Sequence, residues 1–130
     1  LSMDNIEEQL VLMLDRGRKT SRPINSYISN NDIVVYVRVT RRYINNELCN
    51  TVDIANITVN FDKQNSGIFK EFLSMVEKLS FKYQRTIFIE SVLSELLIEK
   101  LPTYGYTMIP DTVPPSFSKN ISIGLIDDIH

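Results

Sequence analysis

Apolar positions recur along this chain with two different periods, and the switches between them lay out the elements. Over residues 4–16, Ile6, Leu10, Met13 and Leu14 sit three to four apart, the stripe of an amphipathic helix that Leu12 widens. Asp4 stands at the start with Glu7 three residues on, a capping-box pattern. Arg16, Arg18 and Lys19 close the segment, where cations suit the helix dipole. Residues 21–32 are rich in Ser and Asn and read as a connection. From residue 33 to 44 the period becomes two: Val35, Val37 and Val39 alternate with Tyr36, Arg38 and Thr40, which predicts a strand. Asn45-Asn46 marks a turn, and residues 48–60 return as a second, antiparallel strand.

The period then changes again. A polar loop at residues 62–66 ends at Gly67, and Ile68, Phe72, Met75, Val76 and Leu79 form a helical stripe over residues 68–79. Asn65 or Ser66 is placed to cap it. Residues 86–92 are an almost continuous apolar run, the pattern of a strand buried on both faces. Strand, helix and strand in that order imply a right-handed parallel crossover. Ser94 is placed to cap a short helix over residues 94–101, which Pro102 and Gly105 end. Residues 106–109 read as a strand, 110–118 as turns and 121–126 as a last strand. The resulting fold class is α/β (or α+β): one domain, with a mixed, mostly antiparallel sheet, one parallel crossover and helices on both faces.

Composition narrows the function classes. The chain has 130 residues, 43% of them apolar, and a formal charge of −2, which argues against a strong nucleic-acid footprint. No apolar run has the length of a membrane span, and no signal-peptide pattern opens the chain. Leu1-Ser2 ahead of Met3 is set aside as foreign to the fold. A single cysteine, Cys49, permits no internal disulfide and fits a reducing, cytoplasmic setting. A single histidine, His130, leaves no material for a His-based triad or a His-rich metal centre.

A strand feeding a glycine-containing loop that opens a helix is a common anion cradle, because the first helical turn exposes backbone N–H groups. Three features around it resemble the GNAT superfamily of acetyl-CoA-dependent N-acetyltransferases. Ile57-Thr58-Val59 lead through Gln64-Asn65-Ser66-Gly67-Ile68-Phe69 into a helix, with Gln64 and Gly67 at the family's Arg/Gln and Gly positions. Ile87-Phe88-Ile89-Glu90 resembles the family's next strand, followed by Ser94 where the family usually has Asn. Tyr104-Gly105-Tyr106 is similar to its Gly-aromatic strand start. The tail Pro114-Pro115-Ser116-Phe117 looks like that of small, divergent members from phages.

The resemblance implies acetyl-CoA as co-substrate, with pantetheine between two splayed strands and pyrophosphate on the loop. The residues it points to for the cofactor are Ile57, Val59, Gln64, Asn65, Ser66, Gly67, Ile68, Phe69 and Ser94. It implies an N-acetyltransferase acting on an amine of a protein or small molecule, with Asp53, where the family often carries a carboxylate, as base. Glu90, a carboxylate in an otherwise apolar strand, either serves as acid or base or lies at the strand's exit and meets water or Arg85, and Tyr104 is near the expected tyrosine position and placed to donate a proton. Two positions depart from the family pattern: Phe69 replaces a small residue, and Leu101 stands where the catalytic tyrosine is expected. They motivate an alternative, a GNAT-like module without catalysis that binds a protein partner. A third reading, nucleic-acid binding by Arg38, Arg41 and Arg42 beside Tyr36 and Tyr43, runs against the net charge; the bland one is that they coat an exposed sheet edge. Residues 121–126 offer an edge for pairing with a second copy.

Overall fold

A computed structural model describes residues 3–60 and 67–121. Helix α1 (Asp4–Arg18) is followed by strands β1 (Ile24–Ser29), β2 (Ile33–Ile44) and β3 (Glu47–Val59). Helix α2 (Ile68–Tyr83) leads to β4 (Thr86–Ile89), and α3 (Glu95–Thr103) to β5 (Thr107–Met108) and β6 (Phe117–Lys119). The strands form one six-stranded sheet in the order β1-β2-β3-β4-β6-β5. Among the described residues only β3 and β4 run parallel, joined through α2, and the other pairings are antiparallel. This is the mixed sheet with one crossover that the two hydrophobic periods imply.

The alternation in β2 sets the core. Val35, Val37 and Val39 are buried on one face, and Val52, Ile54, Ile87 and Ile89 continue that layer across β3 and β4. Ile6, Leu10 and Leu14 of α1 and Phe72, Val76 and Leu79 of α2 join the same cluster. Each such side chain contributes about 1.5–3 kcal/mol when fully buried. The two helices are tied to each other at their surface by Lys78 to Glu7 at 3.0 Å and by the Tyr83 hydroxyl donating to Asp15 at 2.7 Å. The Asn45-Asn46 turn has φ of 52° and 67°, the pair of left-handed residues that a tight hairpin demands and Asn tolerates.

Several local expectations change. Residues 24–29, read as connection, form edge strand β1; only Ile28 is buried, so its Asn and Ser positions face water and mask the strand. Arg38 therefore lies where β2 is flanked by both β1 and β3, whereas Arg41 and Arg42 lie beyond the pairing with β1, which ends at Val39. Phe117 and Ser118, read as turn, belong with Lys119 to β6, anchored by buried Phe117 between β4 and β5. Met3, not Asp4, is the N-cap of α1, with no side-chain cap bond, and Glu7 is engaged by Lys78 instead. Gly67 with φ 84° is the N-cap of α2, in place of Asn65 or Ser66. Ser94 does cap α3, its hydroxyl accepting from Leu97 N at 3.3 Å. The strand expected at 121–126 lies, apart from Ile121, outside the described residues. No described helix is long and apolar enough to cross a membrane.

Candidate functional site

The parallel pair ends abruptly. β3 and β4 are in register from Thr51↔Thr86 to Ile54↔Ile89, and Glu90 N still donates to Ile54 O at 2.9 Å. Beyond that point the two chains part, for a reason visible on each side. In β3, Val37 pairs with Ile54 while Val35 pairs with Ile57, so Ala55 and Asn56 together oppose Tyr36: a β-bulge that bends the strand. After β4, Ser91 adopts a left-handed φ of 49° and its N–H donates to Ser116 Oγ. Val92 N then donates to Pro115 O. The chain after Glu90 is thus bonded to the 115–116 segment, not to β3.

Two adjoining clefts open at the divergence. One, of about 270 Å³, runs between Ala55, Asn56 and Ile57 on one wall and residues 89–94 with Leu97 on the other. The second, of about 330 Å³, is lined by Tyr27, Tyr36, Arg38, Ala55, Asn56, Glu90 and Leu93, among others. Glu90 and the bulge residues belong to both. Tyr27 and Tyr36 form an aromatic pair with centroids 4.9 Å apart, and Asn25 Nδ2 donates to the Tyr36 hydroxyl. Leu93 is 80% exposed at the mouth.

A four-residue charge network underlies the second cleft. Arg38 Nη1 donates to Glu90 Oε2 at 2.7 Å, and Arg42 Nη2 reaches Glu90 Oε1 at 3.4 Å. Arg42 Nε donates to Asp53 Oδ2 at 2.6 Å, while Thr51 Oγ1 donates to Asp53 Oδ1 at 2.7 Å. The period of two explains the assembly. Arg38 and Arg42 share the face opposite the valines, and Asp53 lies beside Arg38 and beside Phe88 in the ladders. The Arg42 guanidinium lies 4.2 Å from the Phe88 ring centroid, which holds it flat. Asp53 is 0% exposed, so desolvation raises its carboxyl pKa against the opposing pull of Thr51 and Arg42. The Arg38 pKa is raised, chiefly by its bond to Glu90.

The structure thus brings Glu90, Ile57 and Ser94 to one place and scatters other candidates. Asp53 lies below the cleft floor with both oxygens engaged, and lines neither cleft. Glu90 meets Arg38 and Arg42; Arg85 is turned elsewhere. Tyr104 follows α3, its carbonyl accepting from Lys119 Nζ at 2.7 Å and its ring 5.7 Å from Lys70 Nζ, away from the residues lining both clefts. Leu101 is a fully buried core residue. Val59 is half-buried at the end of β3. Gln64, Asn65 and Ser66 lie outside the described residues. Gly67 opens α2 with nothing within 4 Å of the position a Cβ would take. Ile68 is buried, and Phe69 is half-buried and packed against the core. The arginines facing Glu90 were not among the site residues expected from sequence. The signal for them was present: Arg38 and Arg42 are four apart in a period-two strand, hence on one face.

With that geometry in place, comparison with solved structures identifies the architecture. The chain superposes on a mutant AtaT toxin bound to the C-terminus of the antitoxin AtaR and acetyl-CoA, with TM-score 0.60 and 11% identity over 74% of this chain and 63% of that one. It superposes on the KacTA–DNA complex with TM-score 0.62 and 13% identity, covering 96% and 88% of the two chains. A mutant KacT gives TM-score 0.59 and 12% identity over 98% and 89%. The chain thus spans less than two thirds of the AtaT chain and most of the KacT chains. At these identities the likeness establishes the fold, and that fold is GNAT-like. No family model matches the sequence, and no curated protein matches it.

Proposed function

We propose that this chain transfers the acetyl group of acetyl-CoA to an amine, with Glu90 as the general base. The observation that carries the reading is the divergence of β3 and β4 at a bulge, with a carboxylate placed where two clefts meet. The GNAT-like fold and the acetyl-CoA bound by AtaT support it.

The thioester arm occupies the cleft between Ala55, Asn56, Ile57 and residues 89–94, bonded to strand backbone that β4 no longer pairs. Val59 and Ser94 extend that wall toward the two helix termini. The pyrophosphate lies at the start of α2. Gly67 leaves its approach open, and Ile68 and Phe69 contribute main-chain N–H groups. The acceptor enters the second cleft, past Tyr27 and Tyr36. Glu90 takes its proton, directly or through one water, and the nitrogen lone pair attacks the thioester carbonyl. Backbone N–H groups at the bulge stabilise the oxyanion. The C–S bond then breaks, and water protonates the departing thiolate; Tyr104, which follows α3, is given no step. Asp53 acts on Arg42 and not on substrate.

A second reading, a GNAT-like binding module without catalysis, is favoured by one observation: Glu90 carries two arginines, which compete for the lone pair a base would use. Thermal unfolding with acetyl-CoA separates the two. A ligand present at 100 times its dissociation constant adds about 2.7 kcal/mol of stability. The enzyme reading expects a saturable rise, and acetylated product from a panel of primary amines that Glu90→Gln suppresses. Absence of any rise at millimolar acetyl-CoA overturns it.

A further inference from the structure

The opposite end of the same sheet carries a second charged cleft that the acetyl-transfer reading does not use. It has a volume of about 320 Å³ and is walled by Gly17, Thr20, Ser21, Val39, Thr40, Asn50 and Tyr83 with four arginines: Arg18, Arg22, Arg41 and Arg85. None of the described lining residues is acidic; the carboxylate next to the wall, Asp15, is engaged by the Tyr83 hydroxyl at 2.7 Å. It lies beside Thr51 and Thr86, the start of the parallel pair, whereas the acetyl-transfer clefts lie beyond Ile54 and Ile89.

Its cations are held differently from those near Glu90. Arg85 Nη1 donates to the main-chain carbonyls of Thr40 and Thr51, both at 3.1 Å, which fixes the guanidinium at the cleft floor. Burial lowers its pKa and the neighbouring Arg18 charge lowers it further, against a smaller opposing pull from Asp53. Arg18 is stacked on Tyr83 at 4.2 Å. The Arg22 and Arg41 side chains are exposed and make no ion pair among the described residues. Converging cations without a carboxylate repel one another until an anion arrives, and planar guanidinium forks match phosphate oxygens. The hydroxyls of Thr20 and Ser21 and the amide of Asn50 add neutral donors. One face of the Tyr83 ring is taken by Arg18, and Lys82 Nζ also lies 5.9 Å from its centroid, so the wall has little aromatic surface left for a nucleobase.

We propose that this four-arginine cleft binds the terminal phosphate of a small phosphomonoester. The site is independent of Glu90 and of the start of α2.

The test is a calorimetric titration of the full chain, at low ionic strength, with inorganic phosphate, glycerol phosphate and a short single-stranded RNA. Sodium chloride at matched ionic strength is the control. The expected result is saturable binding of phosphate and glycerol phosphate, weakened about tenfold or more in the Arg22→Ala/Arg41→Ala double variant. Both positions are exposed, so the variant keeps its melting temperature. Gly67→Asp, which places a negative charge at the start of α2, leaves this binding intact, as does Glu90→Gln. Three outcomes overturn the proposal: heats reproduced by sodium chloride, binding unchanged in the double arginine variant, or RNA bound while the monoester is not. Loss of acetyl-CoA binding in Gly67→Asp with phosphate binding retained keeps the two readings apart.

Discussion

The two ends of the β3–β4 pair use the same side chain in opposite electrostatic settings. Where the strands diverge, Arg38 and Arg42 face Glu90 and Asp53, so each cation has a carboxylate within 3.4 Å. Where the strands begin, the four arginines of the opposite cleft share a wall without acids, and Arg85 bonds main-chain carbonyls instead. At the divergent end, charge balance lets a buried carboxylate persist in the sheet. At the closed end, charge is left over for something outside the chain. An arginine's role here follows from what faces it, not from its position in the chain.

That contrast can be broken most forcefully at Glu90. Glu90→Gln keeps the shape and removes the base; a loss of about 10²–10⁴-fold in acetyl transfer is expected, read by product formation at saturating acetyl-CoA. Retained turnover would remove the chemical distinction between the two ends. Next in size is Arg42→Ala, which strands Asp53 as a buried carboxylate. Because Arg42 is itself 30% exposed, water relieves part of the penalty, and a loss of about 3 kcal/mol is expected in urea unfolding. Arg85→Met should cost about 2 kcal/mol, since two carbonyl acceptors at the closed end lose a charged donor. Arg41→Ala should lie within about 0.5 kcal/mol of the parent, as an exposed arginine with no ion pair among the described residues. If Arg41→Ala proved as damaging as Arg42→Ala, the two ends would not differ in the way described.

A pH series sharpens the same comparison. Burial raises the Asp53 pKa in the folded chain above its unfolded value of about 3.9. The folded state therefore holds that proton more tightly than the unfolded state does. Its contribution to stability is complete below the unfolded value and is lost as pH rises through the raised folded value. The stability of the parent relative to Asp53→Asn should accordingly fall as pH increases from about 4. Equal slopes for the two proteins in unfolding titrations would show that Asp53 is not desolvated.

Much of the scaffold was legible because its elements bury one face each. The valine alternation of β2, the stripes of α1 and α2 and the Asn-Asn turn all carry a period that burial imposes, and each stands where the pattern placed it. β1 and β6 were not legible. β1 buries a single side chain, and β6 is three residues long, too short to express a period. Glu90 was legible as an oddity, a carboxylate ending an apolar strand. Its partners were not: Arg38 and Arg42 reach Glu90 across β3, while Arg85, close in sequence, bonds the carbonyls of Thr40 and Thr51.

The sequence by itself determined the succession of α1, β2, β3, α2, β4 and α3, the parallel crossover and the placing of Gly67 at the start of α2. Local sterics and the burial of one face decide those, and both are written in consecutive residues. Only the tertiary structure decided where β3 and β4 part. That depends on a two-for-one register between β2 and β3 and on bonds from residues 91 and 92 to a segment more than twenty positions away. It also decided which arginines meet carboxylates. Charge pairing acts through space over a few ångströms, and the Arg38–Glu90 pair joins residues 52 apart along the chain, across the intervening strand β3.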